Sequence, residues 1–262
     1  MNLYAVRKYI NYIFFSSHKR GHGIHSPFVF YLITKVFRNK IDQDLVLNIE
    51  KTRQMMISDR RRINVTDYGS GPDRISSSSR KVSEIVKYSA IPRKYGILLT
   101  ALSREFGKSC IVELGTSLGI STLYLAAASR DVPIHTVEGC PEISKLAKEN
   151  FKRWGLKNIS LYTGRFDEVL AAIGKKDVRP GLVFIDGDHR KERVLSYFSK
   201  IAEMVDENGV IVLDDIHNST EMGEAWNEIR EYPGVTLTID IFRMGLVFFR
   251  KGLTRSDFII RY

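Results

Sequence analysis

Six runs rich in β-formers begin at Cys110, Ile134, Asn158, Leu182, Val210 and Val235, spaced 24, 24, 24, 28 and 25 residues apart. No other feature constrains the fold as tightly. The runs cover residues 110–114, 134–138, 158–162, 182–186, 210–214 and 235–239, and each interval holds one helix-length segment, such as 141–154 or 190–205. That is the length of a repeated βα unit, which demands a parallel sheet with right-handed crossovers. A seventh run, 245–250, starts only 10 residues after the sixth. No crossover helix fits there, so the last two strands should form an antiparallel hairpin through residues 242–244. The expected fold is α/β, with a Rossmann-like, seven-stranded, mostly parallel sheet that ends in a C-terminal antiparallel strand. A helical N-terminal extension precedes it.

The extension is expected over residues 1–90 and the α/β domain over 91–262. Apolar periodicity predicts amphipathic helices over 1–15 and 28–36, a more polar one over 43–57, and two more over 82–90 and 94–106. A basic loop, His18-Lys19-Arg20-Gly21-His22-Gly23-Ile24-His25, separates the first two, with Ser26-Pro27 as a helix start. A charge run, Asp59 to Arg62, and a serine-rich linker at 76–79 with Lys81 follow. The 262 residues are 44% hydrophobic, enough for a sizeable core. Net charge is +10, which admits nucleic acid, an anionic membrane or acidic substrates and selects none of them. The two cysteines, Cys110 and Cys140, sit at or beside apolar runs. They fit reduced thiols better than a disulfide framework, so a cytoplasmic setting is expected. No apolar run approaches the roughly 20 residues that span a bilayer, and no signal-peptide pattern opens the chain.

The chemistry concentrates where the strands end. The first strand runs into Glu113-Leu114-Gly115-Thr116-Ser117-Leu118-Gly119 and then straight into an apolar helix. A carboxylate and two glycines delivered to a helix start make a socket for a nucleotide-like cofactor. The spacing is E-x-G-x-x-x-G, not the G-x-G-x-x-G of a dinucleotide fold. The second strand ends in Glu138-Gly139, where an acid in an open α/β sheet takes ribose hydroxyls. A rival turn, Asp67-Tyr68-Gly69-Ser70-Gly71, is followed by a serine run and not by an apolar helix, so it is rejected as the main socket. The fourth strand ends in Asp186-Gly187-Asp188-His189 and the fifth in Asp214-Asp215-Ile216-His217. So many carboxylates on one rim call for a cation, a proton or a hydrogen-bonding substrate. His189 is the candidate general base, with His217 and Lys191 as competitors.

These elements resemble the class I S-adenosylmethionine-dependent methyltransferases over residues 92–250, nearest the small-molecule O-methyltransferases of the catechol and caffeoyl-coenzyme A type. The resemblance rests on E-x-G-x-x-x-G, the acid Glu138 and the closing hairpin. It implies S-adenosylmethionine as cofactor, held by Glu113, Gly115, Thr116, Ser117, Gly119, Glu138 and Gly139, with Asp186 beside it. The loop with Arg165 and Phe166 would close on adenine. It also implies a divalent metal (magnesium, calcium or manganese) at Asp186, Asp214 and Asp215. His189 and Asp188 would be catalytic, and the acceptor would be a small hydroxylated molecule. The N-terminal extension would serve as a lid, a substrate contact or a homodimer contact. Two rivals remain: an RNA methyltransferase, suggested by the positive charge but supported by no RNA-binding module, and a non-catalytic module docking on a membrane surface through the basic, aromatic N-terminus.

Overall fold

The computed structural model describes residues 3–16, 21, 23–67, 76–174 and 179–262. The chain opens with α1 (Leu3–Phe15) and α2 (Pro27–Tyr31), which runs on as a π-helical turn, Leu32–Val36. Next come α3 (Gln43–Ile57), β1 (Arg62–Asp67), β2 (Ser76–Lys81), α4 (Val82–Ser89) and α5 (Arg93–Phe106). The βα beat then follows as β3 (Ile111–Leu114), α6 (Ile120–Ala126), β4 (Ile134–Glu138), α7 (Pro141–Arg153), β5 (Ile159–Thr163) and α8 (Phe166–Gly174). It continues as β6 (Leu182–Ile185), α9 (Lys191–Ala202), β7 (Val210–Leu213), α10 (Thr220–Arg230), β8 (Leu237–Asp240), β9 (Gly245–Phe248) and β10 (Ser256–Ile259).

These elements form two compact units, Lys40–Val178 and Met1–Asn39 with Arg179–Tyr262. In the first, hereafter the cradle unit, β3, β4 and β5 pair in parallel. β3 and α6 are buried throughout, as expected of a parallel strand and its crossover helix. β5 is only half-buried along its length. In the second, the rim unit, β6 and β7 are parallel and fully buried, and β9 runs antiparallel to both β7 and β8. The expected hairpin is therefore present, and the Rossmann-like α/β expectation holds. One strand is additional: β10 pairs in parallel with β8.

Residues 76–79, expected as a linker, belong to β2, which pairs with β1 as an antiparallel ribbon that puts Asn64 opposite Ser79. Serine has little strand preference, but here it supplies partners. Arg62 donates from Nε to the Ser79 hydroxyl at 3.0 Å and from Nη2 to the Ser79 carbonyl at 2.8 Å. β1 is also tied to the end of β4, because the Thr66 N–H points at Cys140 Sγ at 3.3 Å. Asp67 of the rejected rival turn thus ends a strand, while 68–71 fall outside the described residues. His18, Lys19, Arg20 and His22 of the basic loop also fall outside them. Both cysteines are free and buried.

Candidate active site

In the cradle unit the glycine turn is folded onto its own backbone. Gly115 and Thr116 both donate N–H to the Val137 carbonyl at 3.0 Å, and Gly119 donates to the Thr116 carbonyl at 2.9 Å. This compact path needs left-handed backbone: φ is 103° at Gly115, 47° at Ser117 and 88° at Gly119. Glycine is required at 119 for a second reason, since a Cβ there would sit 2.6 Å from the Phe151 ring. The sequence suggested free N–H groups at this turn. The structure instead spends those of residues 115, 116 and 119 on carbonyls and that of Ser117 on a carboxylate.

That carboxylate is Glu138. Its Oε2 accepts from the Ser117 N–H at 2.8 Å and its Oε1 from the Cys140 N–H at 2.9 Å. Burial raises its pKa, and the N–H groups of Cys140, Ser117 and Gly139 pull it back. The side chain keeps some exposure, and two bonds leave lone pairs for a diol. The main chain of the same residue ties in the next loop, because Gly164 donates to the Glu138 carbonyl at 3.0 Å. After that loop Arg165 pairs with Asp167 at 3.4 Å, and half-buried Phe166 opens α8. Gly115, Thr116, Ser117, Gly119, Glu138, Gly139 and the Arg165–Phe166 pair thus all follow three adjacent strand ends.

Glu113 takes a different place. It has no exposed surface. Its Oε2 accepts from the Thr122 and Thr136 hydroxyls, each at 2.5 Å, and Oε1 has no partner among the described residues. Desolvation raises its pKa to about 7, against the pull of the neighbouring Ser121, Thr122 and Thr136 hydroxyls. Sealed off in this way, Glu113 shapes the turn from behind by fastening the start of α6 to β3 and β4.

In the rim unit, β6 delivers Asp186 and then a turn in which Asp188 has φ 51°. The Asp188 carboxylate is gripped by Arg190, Nε to Oδ1 at 2.7 Å and Nη2 to Oδ2 at 3.0 Å, and by the Tyr197 hydroxyl at 3.1 Å. It holds the loop in shape, while the neighbouring His189 is exposed. Lys191, a competitor for the base, is paired with Glu224 at 3.1 Å and Glu228 at 2.7 Å. Hydrogen bonds to those two carboxylates raise its pKa, so it keeps its proton and cannot act as a base at neutral pH.

Beyond β7, Asp214 is buried, and Arg243 grips it through Nε at 2.8 and 3.1 Å and through Nη2 at 2.5 Å. The same guanidinium lies 3.5 Å from Asp215 and feels the charge of Asp186. Desolvation still lifts the Asp214 pKa to about 6, with Arg243 opposing. This pairing bears on the metal expectation. Among the described residues no three His, Cys, Asp or Glu groups gather as a metal cage. Both oxygens of Asp214 are taken up by Arg243, which leaves this acid paired with a protein cation and not open as a metal ligand.

The other competitor, His217, is buried and bonded through Nε2 to Asp240 Oδ2 at 2.7 Å. Asp240 Oδ1 accepts the Phe242 N–H at 2.7 Å, holding Phe242 at φ 72°. With a proton on Nε2 facing the carboxylate, Nδ1 carries the lone pair. Nδ1 is buried and without a partner among the described residues. Sequence reasoning named His217 but missed its partner Asp240, and it missed Arg243 altogether. The available signal was the excess of rim acids, which required a cation; the hairpin turn 242–244 carries one.

Residues 112–216 match the family described as "Methyltransferase domain". The chain is 34% identical over 119 residues to a "Putative O-methyltransferase" of Mycolicibacterium smegmatis, a match covering 44% of this chain and 56% of that protein. It is 30% identical over 156 residues to one of Mycobacterium bovis, covering 58% and 66%. The chain spans about half the length of the first curated relatives it matches. The Bacillus cereus O-methyltransferase solved with SAH aligns at TM-score 0.57 and 17% identity, over 83% of this chain and 95% of that one. The Streptomyces achromogenes O-methyltransferase TomG, solved with SAM, aligns at 0.56 and 18%, over 85% and 95%. The chain has the fold of these enzymes.

Proposed function

We propose that this methyltransferase-fold chain is an S-adenosylmethionine-dependent O-methyltransferase acting on a small hydroxylated acceptor. Glu138 carries the proposal: a carboxylate fixed by the Ser117 and Cys140 N–H groups suits a ribose diol and repels a phosphate. The fit is also chemical, since this cofactor has a sulfonium and an ammonium but no pyrophosphate, and an acidic cradle tolerates it. When bound it supplies an activated methyl group. Gly115 to Gly119 give it a close, pre-folded surface, and Arg165 and Phe166 border the base. The chain's remaining task is to orient the acceptor and remove its hydroxyl proton.

His189 is the proposed acceptor of that proton, exposed and carried on a turn that Asp188 and Arg190 hold rigid. A second reading assigns the role to His217, favoured by the Asp240 bond that leaves Nδ1 free to accept. Neither reading uses a metal, and a chelator is expected to leave the rate unchanged. The match of residues 112–216 to a methyltransferase family model and the likeness to O-methyltransferases support the chemistry.

Titration calorimetry with S-adenosylmethionine or its demethylated product tests the reading. The wild type should bind, and Glu138→Ala should weaken binding at least about 100-fold through loss of a charge-assisted pair of bonds. Absence of binding by the wild type ends the proposal. Once an acceptor is found, His189→Ala and His217→Ala separate the two bases, because the true one should lower kcat by roughly 100-fold or more.

A further inference from the structure

The first 41 residues contain seven Lys or Arg (Arg7, Lys8, Lys19, Arg20, Lys35, Arg38 and Lys40) and no Asp or Glu. They therefore hold +7 of the chain's net +10. The same stretch carries much of the exposed large apolar surface. On α1, Leu3 is 87% exposed, Phe14 79% and Phe15 74%, with Ile10 and Ile13 also exposed. Phe30 and Tyr31 add two more rings.

The arrangement on α1 is the reverse of a solvated helix. Its inner face is accounted for: Ala5 and Tyr12 are buried, and the Tyr9 and Tyr12 rings meet Phe242 edge-on and tilted, with centroids at 5.0 and 5.4 Å. The Tyr12 hydroxyl donates to the Ile260 carbonyl at 2.8 Å. Leu3, Arg7, Ile10 and Phe14 follow one another at helical spacing on the opposite stripe, all exposed. An outward stripe on which Leu3, Ile10 and Phe14 surround the single cation Arg7, with Lys8 beside it, is apolar where water would favour polar groups.

We propose that α1 docks the protein on an anionic lipid bilayer, lying in the interface with Ile10, Phe14 and Phe15 among the acyl chains and Arg7 and Lys8 at the headgroups. Charge chooses the occupant. A second copy docking through the same face would bring two strongly cationic surfaces together without one acid among their 41 residues, which opposes association. RNA would accept the charge but gains nothing from an aliphatic Leu3 and Ile10 stripe. An anionic bilayer satisfies both components, since apolar insertion and headgroup attraction reinforce each other. The helix lies on the surface and does not cross it: none of the described helices is long and apolar enough to span a membrane. The proposal is independent of the methyl-transfer reading, because docking is measured without cofactor or acceptor.

Co-sedimentation of the full chain with vesicles decides it. The probes are phosphatidylcholine vesicles with and without phosphatidylglycerol, at low and high salt. The wild type should pellet with the anionic vesicles only, and salt should release it. Arg7→Ala should lower partitioning roughly five-fold, and the triple variant Ile10→Ser, Phe14→Ser, Phe15→Ser at least ten-fold, with thermal unfolding unchanged because these side chains are already exposed. No pelleting with anionic vesicles overturns the proposal, as does equal partitioning by the triple variant. Self-association in sedimentation velocity that the triple variant abolishes, without vesicle binding, would assign the face to a second copy. Salt-sensitive RNA binding without vesicle binding would assign it to nucleic acid.

Discussion

The cradle and the rim both bury carboxylates, and they neutralise them in different ways. Glu113 in the cradle is surrounded by hydroxyls, which stabilise a carboxylate only partly, so burial wins and its pKa climbs to about 7. Asp214 in the rim is gripped by a guanidinium, and burial together with the charge of Asp215 still raises its pKa to about 6. Neutral donors suit a backbone turn that must keep one shape. A formal countercharge suits a rim where Asp186, Asp214 and Asp215 all bear on one arginine. The rim should therefore be fragile to loss of a charge and the cradle to loss of shape.

Arg243→Met should have the largest effect. It strands Asp214 without a countercharge and should cost about 3–5 kcal/mol in denaturant unfolding near pH 8. The cost should shrink below about pH 6, where Asp214 takes up a proton and no longer needs its partner. Adding Asp214→Asn should recover most of the loss, and failure of that rescue would break the charge account of the rim.

Gly119→Ala tests shape in the cradle. The new Cβ meets Phe151 at 2.6 Å in a left-handed backbone, so a loss of about 2–3 kcal/mol is expected in the same assay. A neutral result would mean that Phe151 yields easily and that glycine is not needed there for packing.

Glu113→Gln sharpens the contrast through pH. The folded pKa of about 7 exceeds the reference 4.5, so this group's stabilising contribution is complete below about 4.5 and is lost as pH rises through about 7. The wild type should lose up to roughly 2–3 kcal/mol from this group between pH 5 and 8, and the glutamine variant should show a flatter melting profile. Thr136→Val is the smallest change. It removes one hydroxyl from Glu113 and should cost about 1–2 kcal/mol, more at pH 8 than at pH 5.

The cradle was more legible in the sequence than the rim, for a physical reason. Strand spacing, glycines and Glu138 are local, so E-x-G-x-x-x-G reads directly as a turn between a buried strand and a helix. The rim's partners come from distant segments: Arg243 lies 29 residues beyond Asp214, and Asp240 lies 23 beyond His217. The acids were visible as an unbalanced charge, and what balances them depends on the fold of the β8–β9 hairpin. β2 was hidden by its serines, which have little strand preference of their own, and β10 because its four residues stand outside the βα beat. Glu113 was legible as an important acid but not as a sealed one, because strand-end position alone does not fix which way a side chain is enclosed.

The clasp on α1 also bears on the order in which the molecule is made. Tyr12 donates to the Ile260 carbonyl and accepts from the Tyr262 N–H at 2.8 Å, and Arg261 reaches back to Ser16 and to the carbonyl of Ile13. The partners are separated by 245 to 250 residues. At roughly 5–20 residues per second of synthesis, α1 waits on the order of ten to fifty seconds before that clasp is available to it. During that interval both of its faces are open, Tyr9 and Tyr12 as well as Ile10 and Phe14. The nascent helix is therefore at its most adhesive before the protein is finished, and a bilayer that captures it early would hold the growing chain in place while the rest folds.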